Sequence, residues 1–133
     1  MTTWPHREHG ALQQLAENLW LVEGPMPLTW IRRTMTVARD ERGRLLLHSA
    51  IAMDAQRMAA LEALGTPTWL VVPNGYHRLD APAYKQRFPA LHVVAPSGSA
   101  ARVRQVVAVD ADYKHDLGSS VLRLEQVPWQ PAA

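Results

Sequence analysis

The chain has 133 residues, 47% of them apolar, with 14 Lys and Arg against 12 Asp and Glu for a net charge of +2. That is one domain with enough apolar content for a core, and too little positive charge for a nucleic-acid surface. It contains no cysteine, which excludes disulfides, thiolate nucleophiles and cysteine-based zinc sites. No apolar stretch approaches the ~20 residues a membrane helix needs, and Met1 to Gly10 has no apolar signal core, so a cytoplasmic protein without membrane or nucleic-acid partners is expected.

Residues 1–10 are polar and read as a flexible N-terminal arm, with His6 and His9 on a solvated tail rather than on a local metal. Leu12 to Ala16 and Leu19 to Glu23 are apolar runs separated by Glu17-Asn18, which suggests a hairpin. Gly24-Pro25-Met26-Pro27 breaks the pattern. Trp30 to Ala38 is rich in β-formers; Ile31, Met35 and Val37 can share one face, with Arg32, Thr34 and Thr36 opposite. Asp40 to Gly43 is a polar turn. Arg44 to Ala50 follows as a strand whose continuous Leu run suggests burial on both faces.

Met53 to Leu64 changes period. Asp54 can cap a helix on which Met58, Leu61 and Leu64 form an apolar stripe, and Gly65 and Pro67 stop it. Trp69 to Val72 is a short apolar strand, ended by the turn residues Pro73, Asn74 and Gly75. Asp80 is placed to cap a second helix with Pro82 in its first turn, closed by Phe88-Pro89. Leu91 to Ala95 reads as a strand, Pro96 to Ser99 as a turn, Ala100 to Arg104 as a helical turn and Gln105 to Val109 as a further strand. After the polar loop Asp110 to Ser119, the alternation of Val121 to Val127 suggests a last strand, and 128–133 is a tail. Strands alternating with helices make this an α/β domain over residues 11–127, with a mixed β-sheet.

Four stretches have a recognisable order: Leu19 to Gly24 (LWLVEG), Arg44 to Ile51 (RLLLHSAI), Ala59 to Gly65 with Trp69 to Asn74, and His77 to Pro96. Together, over Leu19 to Val94, they resemble a family of uncharacterised proteins related to the metallo-β-lactamase fold. The resemblance implies the N-terminal half of an αββα sandwich. Hydrolases of that fold carry His-x-His-x-Asp-His after the corresponding strand. Laying that pattern here with His77 on its final His puts Val72, Asn74 and Tyr76 on the other ligand positions. His48 falls where those enzymes have an Asp. Their later ligands come from a C-terminal half, for which this chain offers only Asp110, Asp112, His115 and Asp116.

A catalytic zinc site needs about three protein ligands and an open position. His48 and His77 both follow strand ends, which cluster at one rim of a parallel sheet. Asp80 or Asp116 could complete a set with them, so His48, His77 and Asp80 are the catalytic candidates, and His48, His77 and Asp116 the alternative metal set. The bland reading makes His48 and His77 packed side chains and Asp80 a helix cap. Asn74, Gly75, Tyr76 and His77 are the ligand-binding candidates, through backbone N–H groups in the turn. Ser49 follows His48 directly, but neighbours on a strand point to opposite faces, which argues against a relay between them.

The expected function is a non-catalytic binding or structural module without a cofactor. If the sheet lacks the second half of the sandwich, its apolar face needs a cover, which points to a homodimer or a partner protein. The alternatives are a reduced hydrolase using His48, His77 and a carboxylate around zinc, iron or manganese, and a small-ligand binder at the strand-end crevice.

Overall fold

The computed structural model describes residues 3–127. A mixed six-stranded sheet carries the fold, in the order β1 (Gln13–Ala16), β2 (Leu19–Pro25), β3 (Arg32–Arg39), β4 (Arg44–His48), β5 (Thr66–Val71), β6 (His92–Val94). The first four strands are antiparallel neighbours; β5 and β6 run parallel to β4. Helices α1 (Ala55–Leu64), α2 (Ala81–Arg87) and α3 (Ala100–Arg104) complete the domain. The expected α/β architecture with a mixed sheet is therefore present.

Local chemistry explains the turns. Glu17-Asn18 joins β1 to β2, and the Asn18 side-chain oxygen accepts a bond from Arg39 Nε at 3.2 Å. Between β3 and β4, Asp40 Oδ1 accepts the N–H groups of Arg42 and Arg44 at 2.9 and 2.8 Å, and Gly43 takes φ 74°. That left-handed φ suits glycine, which has no Cβ to clash. Asp54 caps α1 as expected, accepting Arg57 N at 2.8 Å.

One sheet face packs on the helices. Period-2 alternation turns Trp20, Val22, Met35, Val37, Leu45 and Leu47 inward against Met58, Leu61 and Tyr84. Tyr84 is fully buried and its hydroxyl donates to Ile51 O at 2.6 Å, tying α2 to the chain that leaves β4. Deleting a side chain such as Leu47 from this face would cost about 2–5 kcal/mol. Leu46 points to the other face and is only half buried, so the Leu run of β4 is not covered equally on both sides. That second face holds Trp69 beside Leu46 and His92, and Val71 beside His48 and Val94.

Residues 111–120 cross this second face. Val94 bridges Ala111, His115 stacks on His92 at 4.7 Å, Leu117 is buried, and Arg44 donates to Gly118 O at 3.1 Å. Two expected strands are absent. Residues 105–109 follow α3 in a turn, with Val103 and Val107 both facing the core at a helical spacing. Residues 121–127 form no strand with any described residue; their alternation marks one half-buried side, Leu122 and Leu124, rather than a ladder. The expected tail at 128–133 lies outside the described residues.

The arm expected to be loose is tied down over its described part. Trp4 Nε1 donates to Met53 O at 2.8 Å and its ring tilts against Tyr84 at 5.3 Å. His9 Nε2 accepts Asp54 N at 3.0 Å, and Gly10 N donates to Glu23 O at 2.8 Å. Gly24 permits this approach: a Cβ there would lie 2.7 Å from Glu8 O. Among the described residues no helix is long and apolar enough to cross a membrane.

Candidate functional site

The parallel strands β4 and β5 end side by side, with His48 opposite Val71. Beyond β5 the chain forms the 72–80 loop and enters α2. The start of β3 reaches the same rim, since Thr36 pairs with His48 and the antiparallel strand extends past it to Arg32. The rim thus gathers His48, His77, Arg33 and Asp80.

Asp80 stands at the N-cap position of α2, as expected, but its side chain makes no capping bond. It is fully buried and accepts Arg33 NH2 at 2.9 Å, Arg7 Nε at 2.9 Å and the N–H of Ala52 at 3.0 Å. Its ion-pair side chains are 28% exposed for Arg7 and 2% for Arg33. Two guanidiniums on one carboxylate leave a net positive charge in a dry setting, where charges act strongly. Arg33 and Arg7 were not singled out by the sequence reading. The β3 alternation did contain a signal: residue 33 shares the inward face with Met35 and Val37, and a buried Arg needs a carboxylate.

His77 sits in a loop shaped by Asn74, whose side-chain oxygen accepts Tyr76 N at 2.8 Å and His77 N at 3.1 Å. Neither Asn74 nor Gly75 has a positive φ, so an Asn side-chain turn, not a left-handed backbone, makes this loop. The two amides are engaged there and form no anion nest. Burial holds His77 below the ordinary histidine value, and the charge of Arg33 pushes it further down. Burial likewise lowers His48, with a smaller push from His77. Both imidazoles are therefore biased to the neutral form. His77 Nδ1 and Arg33 Nε are buried without a hydrogen-bond partner among the described residues.

Ser49 breaks the strand rule that separated it from His48. It takes φ 58°, which swings its Oγ to 3.2 Å from His48 Nδ1. A left-handed serine is strained, and its fixed place comes from its buried setting and its N–H bond to Val71 O at 3.0 Å.

A cleft of about 1060 Å³ opens beside His77. The 26–32 segment forms one wall, and Gly75 to Leu79 with Val106 the other; Arg7 also lines it. Of the expected ligand-binding residues, Gly75, Tyr76 and His77 line this cleft, and Asn74 shapes the loop behind them.

A metal centre does not fit these donors. Among the described residues, no three His, Cys, Asp or Glu side chains gather where they could hold a metal ion. Both Asp80 oxygens are held by guanidiniums. Asp116 is exposed and turns Oδ1 to Gly118 N at 2.8 Å, so the set His48, His77 and Asp116 is not assembled. Val72 is buried and Asn74 accepts backbone bonds instead.

No protein-family description matches the chain, and no curated protein matches it. Solved structures do. The metallo-β-lactamase FIM-1 from Pseudomonas aeruginosa, in its mono-zinc form, superposes with TM-score 0.61 at 14% identity, over 90% of this chain and 58% of that one. A metallo-β-lactamase from Hirschia baltica gives TM-score 0.60 at 13% identity, over 90% and 56%. The DIM-1 metallo-β-lactamase exposed to ceftazidime gives 0.58 at 9%, over 84% and 53%. The chain thus spans little more than half the length of the structures it matches. Its fold is metallo-β-lactamase-like.

Proposed function

We propose that this chain is a binding module built on a metallo-β-lactamase-like frame, without metallohydrolase chemistry, and that its site is the strand-end cleft beside His77. One observation supports this most: the Asp80 carboxylate, fully buried at the rim, is held by Arg7 and Arg33. A cation would have to displace two guanidiniums to reach it, and would then sit beside their charge. The cleft offers the concave, largely apolar surface that small ligands use. The test is a hydrolysis assay with a chromogenic β-lactam and a chromogenic ester in added zinc. The expected rate equals that of the His48→Ala variant and of buffer; zinc-dependent turnover lost in His48→Ala would refute the reading.

Self-association belongs to the same proposal. The open part of the second face carries Leu19 and Leu21, half exposed opposite Ala38 and Thr36. Residues 111–120 cross only the β4 to β6 side of that face. Sedimentation equilibrium at micromolar concentration is expected to give a dimer that Leu21→Glu dissociates. A monomer throughout would remove this part and leave the cleft untouched.

A further inference from the structure

We infer that the cleft beside His77 takes an amphiphile: an oxyanion head, carboxylate or phosphate ester, on an apolar body. This rests on the binding-module reading above and names its ligand chemistry. The walls are apolar and open to solvent. Leu28 is fully exposed, Ile31 is 52% exposed, and Leu79 and Val106 are about 40% exposed, all around one concavity. Apolar side chains clustered in a cleft mark a binding surface more than scattered ones do.

The charges are one-sided. Arg7, Arg32 and Arg78 line the cleft, and no Asp or Glu does among the described residues. Arg33 lies buried behind it. Asp80 answers Arg7 and Arg33, while Arg32 and Arg78 make no ion pair among the described residues. Arg78 is held in place by its own bonds, NH1 to Arg102 O at 2.5 Å and to Gln105 Oε1 at 2.6 Å. Three lining arginines and no lining carboxylate among the described residues set positive charge beside an apolar groove. A neutral apolar ligand would leave those cations unanswered, and a bare inorganic anion would leave the walls wet. His77 lines the same cleft, and its buried Nδ1 has no hydrogen-bond partner among the described residues, a polar atom left unanswered beside the proposed site.

Amide chemical shifts of the isotope-labelled chain, titrated with octanoate, octyl phosphate and octan-1-ol, test this. Both anions are expected to shift residues 31–32 and 76–79, about tenfold more tightly than the alcohol, with affinity falling as salt rises. The ratio of the two anions tells carboxylate from phosphate. Replacing Arg32→Gln and Arg78→Gln together is expected to bring the anions down to the alcohol's affinity and leave the alcohol unchanged. An alcohol that binds as tightly as the anions overturns the anionic head while the binding cleft stands. If none of the three moves these amides, both the ligand class and the binding-module reading fail.

Discussion

Replacing Asp80→Asn separates a helix cap from the centre of a charge cluster. The substitution keeps the shape and removes the charge. Were Asp80 only a cap, the change would cost little, because Asn caps a helix about as well as Asp. As the partner of Arg33, whose side chain is 2% exposed, its loss strands a buried guanidinium, and breaking such a pair from one side costs about 3–5 kcal/mol. Whole domains have roughly 5–15 kcal/mol of stability, so the variant should sit near its limit. Urea unfolding followed by tryptophan fluorescence reads the difference. A loss of ~4 kcal/mol at a slope of ~2 kcal/mol per M moves the midpoint down by about 2 M. Arg33→Met in the same background should cost less than the sum of the two single changes, because it removes the stranded charge. A midpoint shift below roughly 0.5 M for Asp80→Asn would return the residue to a capping role and refute the cluster.

Gly24→Ala puts a Cβ 2.7 Å from Glu8 O, so it should push the arm off β2 and weaken the hold of Arg7 on Asp80; a loss of about 1–3 kcal/mol by thermal melting checks this, and a neutral result would contradict it. Acid should destabilise the protein early. His48 and His77 are held below 6.5 in the folded chain, so the unfolded state binds protons first and stability falls as pH drops below about 6.5. The double variant His48→Gln, His77→Gln should flatten the urea midpoint between pH 7.5 and 5.5, and an unchanged slope would place the titration elsewhere. At Ser49, Gly removes left-handed strain while losing the contact to His48, so Ser49→Gly should change stability by no more than about 1 kcal/mol, whereas the branched Ser49→Val should cost about 2–3 kcal/mol. Equal melts for the two variants would argue against a left-handed residue 49.

What the sequence revealed was local. The Glu17-Asn18 turn, the Asp54 cap and the helical stripe of Met58 and Leu61 are each fixed by residues a few positions apart, and each appears where expected. What it concealed was long-range or one-sided. Asp80 looked like a cap because its real partners stand 47 and 73 positions away. The arm looked solvated because its polar residues are donors and acceptors for distant backbone; Trp4 was the overlooked sign that it docks. Residues 121–127 alternate like a strand because Leu122 and Leu124 are half-buried between exposed neighbours, a period-2 pattern that needs no paired strand. The rim position of His48 and His77 followed from strand ends. Of the two guanidiniums on Asp80, only Arg33 left a sign in the sequence, the β3 alternation that sets an arginine among Met35 and Val37; Arg7, on the arm, left none.

Equilibrium dialysis against micromolar zinc, followed by elemental analysis, tests most directly whether arginine has taken the cation's place at this rim. The expected result is less than roughly one tenth of an equivalent of bound zinc, because a zinc site needs about three free donors. One equivalent held by the wild type and lost in the variant His48→Ala, His77→Ala would contradict it.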